Sequence, residues 1–170
     1  MKELINISLV GLMGSGKTTI GSFLSKQLNI LYIDSDITVV TNYNTDIVLI
    51  YYIEGEHSFR AKEEILIEPI LIKPNSILAT GGGSVFHIYV CKFLLESNIT
   101  LWFKLDVKEQ SKRVASNKRP LTLSIRSCLY IILEHILKER HKLYLKVFNI
   151  VFNVNIKSYM LILNKVCWLM

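Results

Sequence analysis

Proline and glycine are scarce in this chain, at three and eight of 170 residues, and no Pro- or Ser-rich stretch divides it. Nothing recurs at a repeat period, so residues 1–170 read as one domain around one core. Long hydrophobic runs are missing too. The longest, Ile47–Ile53, is far too short to cross a bilayer, and Met1-Lys2-Glu3-Leu4 carries an acid and leads straight into a strand-like segment, unlike a secretory or transit peptide. No membrane partner and a cytoplasmic location are expected. Cysteine is limited to Cys91, Cys128 and Cys167, an odd number without CxxC spacing, which argues against a disulfide framework and for reduced thiols. The formal charge of +6 is scattered, with only Lys112-Arg113 and Lys118-Arg119 as local pairs. A nucleic-acid reader concentrates its basic residues on one face, so no nucleic-acid partner is expected; anionic small substrates suit the balance better. A monomer is expected.

What the chain does hold is apolar material, 51% of its residues, enough to fill a sizeable core. Short apolar runs alternate with longer helical patterns. Strands are predicted at Asn6–Val10, Ile30–Ile33, Ile77–Thr80, Thr100–Leu105 and Asn149–Val154. Helices are predicted at Lys17–Leu28, Ser58–Glu68, Ile88–Glu96, Lys108–Ser116, Cys128–Leu145 and Ser158–Leu169, with Pro69 expected to end or kink the second. Such alternation argues for α/β architecture, a parallel sheet covered on both faces. Ile47–Ile53 reads equally as a strand or a buried helix.

Gly11-Leu12-Met13-Gly14-Ser15-Gly16-Lys17-Thr18 matches G-x-x-x-x-G-K-[ST] between a strand and a helix, the context a phosphate-binding loop requires. Its glycines let successive N–H groups turn inward on phosphate oxygens, and the helix N-terminus adds a favourable dipole. Gly14, Ser15, Gly16, Lys17, Thr18 and Thr19 are the candidate ATP-binding residues. Lys17 would neutralise β- and γ-phosphate charge, and the Thr18 hydroxyl would bind Mg²⁺.

Asp34-Ser35-Asp36 follows the second strand. In an extended segment residues two apart project to one side, so both carboxylates can face a site beyond the strand ends. One near Mg²⁺ and one near an acceptor hydroxyl would serve phosphoryl transfer; capping of the next helix is the plainer alternative. Arg60 reads either as a binding cation or as a helix-face partner of Glu63 or Glu64. Gly81-Gly82-Gly83 permits positive φ and close approach of a ligand, or is a flexible turn. Lys118-Arg119-Pro120-Leu121 reads as a mobile cationic flap or a solvated loop, and Arg140 also suits a helix C-terminus.

In this order the motifs resemble the shikimate kinase family from about Asn6 to Val154. The carrying residues are the phosphate loop with Thr19-Ile20-Gly21, Asp34-Ser35-Asp36, Glu54-Gly55-Glu56 with Phe59-Arg60, Ala79-Thr80-Gly81-Gly82-Gly83, Arg119-Pro120-Leu121, and Glu139-Arg140 with Leu143-Tyr144. The resemblance implies a P-loop three-layer α/β/α sandwich with a five-stranded parallel sheet, a substrate-binding helical segment and a lid near residues 112–125. It also implies transfer of the ATP γ-phosphoryl group to the 3-hydroxyl of shikimate, on the route to chorismate and the aromatic amino acids, with Mg²⁺. Asp36 would hold shikimate hydroxyls and act with Lys17 in catalysis, and Asp34 would lie on the metal side with Thr18. Arg60, Arg140 and Gly82 would bind the substrate. Arg119 would reach ATP, with Arg113 a weaker candidate beside adenine. The chain departs from the family pattern in its uncharged Ile37-Thr38-Val39-Val40 and in Thr122 after Leu121. Another small-molecule P-loop kinase and a non-catalytic nucleotide-binding module are the competing readings.

Overall fold

Three central strands are buried on both faces, one lined by apolar residues and the other by apolar residues with the small polar side chains Ser8, Ser76 and Thr100. A computed structural model describes residues 6–71, 73–96, 99–116, 128–154 and 159–169. Five strands, β1 (Asn6–Val10), β2 (Leu31–Asp34), β3 (Ser76–Ala79), β4 (Ile99–Lys104) and β5 (Ile150–Asn153), form one sheet in the order β2-β3-β1-β4-β5, and every pair is parallel. Parallel pairing needs crossovers, and helices supply them.

On one face Ile7, Leu9, Ile77, Ala79, Leu101 and Phe103 pack against Ile20 and Leu24 of α1 (Lys17–Leu28) and Ile162, Leu163 and Val166 of the C-terminal helix, Tyr159–Leu169. On the other face Val10, Leu78 and Trp102 meet residues of three further helices. These are α4 (Gly55–Leu71), α5 (Ile88–Glu96) and α7 (Leu129–Val147). Counting α6 (Val107–Ser116) before α7, the C-terminal helix is α8. The three expected layers are present. All five strands fall within a residue or so of their expected positions.

Three local expectations change. Ile47–Ile53 is a helix, α3, because the Asp46 carboxylate caps it by accepting from Val48 N and the run packs Ile50 inward. Ser35–Tyr43 forms α2, which the strand-helix pattern did not separate from its surroundings. Helix α4 starts earlier than expected and runs through Pro69, which lies in its last turn with only Ile70 and Leu71 after it, so the helix ends close to the proline as expected. Helices α2, α3 and α4 share a small core of Val39, Ile50 and Phe59 beside the main sheet.

Leu24 is fully buried beneath the sheet, whereas Asp46 acts only as a cap. Leu24→Ala should therefore cost about 2–5 kcal/mol and Asp46→Ala about 1 kcal/mol in urea unfolding. Equal costs would contradict this division between core and cap.

Candidate active site

The loop after β1 owes its shape to three glycines with positive φ, at Gly11, Gly14 and Gly16. A Cβ on Gly11 would lie 2.6 Å from the Phe103 carbonyl oxygen, and one on Gly14 would lie 2.8 Å from Val114 Cγ2. Gln110, buried on α6, donates from Nε2 to the Met13 carbonyl at 2.8 Å and ties the loop to its neighbour. Lys17 Nζ donates to the carbonyls of Gly11 (2.7 Å) and Leu12 (3.0 Å), so its ammonium sits over the loop. Ser15 is buried and its hydroxyl makes no hydrogen bond, while Thr19 is exposed on α1.

The aspartate pair is presented differently from the extended arrangement expected. Strand β2 ends at Asp34, and Ser35 and Asp36 already belong to α2. Asp34 does what the plainer reading proposed, because Oδ1 accepts from the N–H groups of Asp36 (3.1 Å) and Ile37 (3.4 Å). Its Oδ2 meanwhile accepts from Thr18 Oγ1 (3.0 Å) and Tyr32 Oη (3.1 Å). Capping and a Thr18–Asp34 oxygen pair coexist in one carboxylate. Burial first, then the Asp34 charge, pushes the Tyr32 phenol well up, so it stays a donor. Asp36 reaches the site from the first turn of α2.

The glycine triplet follows β3, whose end is tied to β1 by Thr80, which donates from N and Oγ1 to the Leu9 carbonyl at 3.1 Å each. None of the three glycines has positive φ, against expectation. Their function is to lack Cβ. A Cβ on Gly81 would lie 2.5 Å from Glu63 Oε1 and 2.8 Å from Asp36 Oδ1. One on Gly82 would lie 3.2 Å from Arg140 Nη1 and 3.5 Å from Met13 N, while one on Gly83 would collide with the Arg60 guanidinium. The triplet thus gathers Asp36, Arg60 and Arg140 and touches the phosphate loop. Tyr144, fully buried on α7, donates from Oη to the Gly82 carbonyl at 2.7 Å and anchors the segment.

Arg60 is pinned by carboxylates. Nη1 donates to Glu63 Oε2 at 2.7 Å, and Nε and Nη2 donate to Glu56 Oε1 at 3.3 and 3.2 Å. Glu63 has no solvent exposure, and its Oε1 accepts from Ser84 Oγ at 2.6 Å. Burial alone pushes the Glu63 carboxyl up, but His87, Arg60 and Ser84 outweigh it and hold it below the ordinary range. The helix-face pairing considered for Arg60 is therefore real, and it positions the guanidinium at the triplet. Arg140 lies over the Phe86 ring at 5.4 Å, with Nε buried and unpartnered. Arg113 donates to the Val154 carbonyl at 3.3 Å. Arg119 and most of the expected lid lie outside the described residues. Sequence reasoning missed the structural weight of Glu63 and the roles of Tyr144 and Gln110. Glu63 carried a signal as a helix-face partner of Arg60, though not of its burial, and Tyr144 as part of the Leu143-Tyr144 motif; Gln110 carried none.

Three comparisons bear on this arrangement. A family model described as shikimate kinase matches residues 13–168. A shikimate kinase of Buchnera aphidicola subsp. Baizongia pistaciae is 34% identical over 159 residues, 93% of this chain and 91% of that protein. The structure of a shikimate kinase from Acinetobacter baumannii in complex with shikimate superposes with a TM-score of 0.90 at 29% identity, covering 99% of this chain and 93% of that one. A gluconokinase from Sinorhizobium meliloti, at TM-score 0.64 and 13% identity, shares the fold alone, covering 97% of this chain and 90% of its own.

Because Glu63 is held below its ordinary range, its contribution to stability is present above the unfolded carboxyl value of 4.5 and is lost as pH falls through its lower folded value. Glu63→Gln should cost about 3 kcal/mol near neutrality by breaking a buried pair. In thermal unfolding the gap between the two proteins should persist to acid below 4.5 and close only further down. A gap already closed above 4.5 would contradict a compensated, ionised Glu63.

Proposed function

The chain belongs to the shikimate kinase family, and from that premise we propose a division of labour among its residues in phosphoryl transfer from ATP to the 3-hydroxyl of shikimate. The observation that carries it is the convergence of Asp36, Arg60 and Arg140 on three glycines that abut the phosphate loop. Charge is segregated along the triplet, with carboxylates at Gly81 and guanidiniums at Gly82 and Gly83. Shikimate is polar in the same sense, with a carboxylate on one side of its ring and hydroxyls on the other. Arg60 and Arg140 hold the carboxylate, the Gly82 backbone adds a contact, and Asp36 takes the hydroxyl side.

On the nucleotide side the loop N–H groups of Gly14, Ser15 and Gly16, with Thr18 and Thr19, cradle phosphate oxygens. Lys17 moves from the Gly11 and Leu12 carbonyls to bridge the phosphates, its charge offsetting what accumulates as the γ-phosphoryl leaves. The fit for Mg²⁺ is good, since Thr18 Oγ1 and Asp34 Oδ2 are hard oxygen donors 3.0 Å apart and such a cation takes few protein ligands beside phosphate and water. Mg²⁺ bound there supplies charge neutralisation of the phosphates. Asp36 aligns the acceptor hydroxyl and takes its proton as the new P–O bond forms and the bond to the ADP oxygen breaks.

Lys17→Ala should abolish detectable ADP release in a coupled assay while thermal unfolding stays near that of the parent, because the lysine supplies charge to the phosphates and its half-buried side chain lies outside the hydrophobic core. Near-normal turnover would rule this loop out as the phosphoryl site.

Arg60→Ala and Arg140→Ala should each weaken shikimate affinity roughly ten- to a hundredfold, the worth of one or two charge-assisted hydrogen bonds. Lysine at either position should rescue only part, since an ammonium cannot form the fork. A carboxamide analogue should be a poor substrate that discriminates little between parent and arginine variants. Variants that hurt acid and amide equally would contradict the carboxylate clamp.

A further inference from the structure

The 3₁₀ turn Ser84–Phe86 after the triplet ends at His87, a residue to which the reaction gives no part. Its ring is nearly buried and lies between two adjacent carboxylates of α4. Nε2 is buried, makes no hydrogen bond and faces Glu63 Oε2 at 3.7 Å, and Nδ1 faces Glu64 Oε2 at 3.5 Å. Neutral imidazole carries one N–H, so one ring nitrogen would turn a lone pair toward a carboxylate; only imidazolium offers a proton to both. The oxygen that Nε2 faces is the one that accepts from Arg60 Nη1. His87 and Arg60 are thus coupled through a single buried atom.

We infer that His87 is a positioning residue: wedged between Glu63 and Glu64, it fixes the Glu63 carboxylate, and through it the Arg60 guanidinium, for the substrate carboxylate. The inference rests on the reading of Arg60 as a shikimate ligand. Other groups near this turn are accounted for. From α7, Arg140 lies against Phe86 and Tyr144 binds the Gly82 carbonyl. From α5, the Cys91 thiol donates to the Val85 carbonyl and the Cys91 N–H to the His87 carbonyl. Among the described residues, the charged groups beside the imidazole are Glu63 and Glu64, with Arg60 one atom further. The Glu63 carboxylate is thereby held from both sides. Without the imidazole, Glu63 keeps Arg60 and Ser84 but loses its third partner, and the guanidinium becomes less well ordered.

The test measures kcat and both KM values, each with the other substrate saturating, for the parent, His87→Gln, Glu64→Gln and Arg60→Ala. His87→Gln should raise the shikimate KM roughly three- to tenfold, the worth of about one hydrogen bond. The effect should fall on KM for shikimate, with KM for ATP nearly unmoved. Glu64→Gln, half-exposed and remote from the fold's core, removes the carboxylate on the other side of the ring and should raise shikimate KM in the same direction by less. An unchanged shikimate KM in His87→Gln, or an equal rise in both KM values, would overturn the inference. Should His87→Gln not fold, an unmoved shikimate KM in Glu64→Gln would overturn it equally. Arg60→Ala separates the two levels. If it leaves shikimate KM intact, the ligand reading itself is wrong and the inference falls with it; if it raises KM while His87→Gln matches the parent, only the His87 role is wrong.

Discussion

A carboxylate sealed from water is costly unless its charge is met, and the arrangement around Glu63 meets it from three directions. Arg60 lies one turn earlier on α4, while Ser84 and His87 lie beyond β3. Because these partners belong to separate parts of the chain, satisfying one buried charge fixes how α4 docks on the end of the sheet. Helices α2 and α3 follow, since they share the Val39, Ile50 and Phe59 core with α4. The position of Arg60 over Gly83 and the approach of Asp36 to Gly81 are thus consequences of the same compensation.

Glycine serves this protein in two physically different ways. Three residues, Gly11, Gly14 and Gly16, supply backbone angles that other residues adopt only under strain. Three others, Gly81, Gly82 and Gly83, have ordinary angles and supply volume, since each missing Cβ is occupied by a charged side chain. Six of the eight glycines in the sequence are committed in these two loops. Replacement at the first set would distort a loop; replacement at the second would displace a charged side chain from the glycine triplet.

The sequence was most legible where local rules suffice. Five strands and the phosphate loop could be read because apolar runs bounded by turn residues, and a glycine pattern between strand and helix, are contiguous signals. Helix α3 was not decidable, because Ile47–Ile53 is apolar in every direction and its Asp46 cap looks like any loop acid. The aspartate pair lies at the end of the second strand as read, but not in the extended geometry expected: no local signal shows that the strand stops at Asp34 and that Asp36 lies in a helical turn. Glu63 and His87 were invisible as partners, being 24 residues apart in sequence and joined only by tertiary packing. Propensity can suggest that Glu63 pairs with Arg60; it cannot show that the pair is buried.

Pre-organisation follows from the same contacts. Arg60 uses Nε and one hydrogen each on Nη1 and Nη2 for Glu56 and Glu63, which leaves a second N–H on each terminal nitrogen. A guanidinium with donors to spare on both terminal nitrogens suits a planar carboxylate. A guanidinium already ordered by protein carboxylates loses little further entropy when a ligand arrives. Arg140 is held by an aromatic face instead of by charge, with a buried Nε that has no partner. The two arginines are therefore held differently: Arg60 lies between two carboxylates, whereas Arg140 has no ion pair among the described residues. An anionic group reaching both, as proposed for the substrate carboxylate, would meet a guanidinium fixed in place at Arg60 and would bring Arg140 an ionic partner.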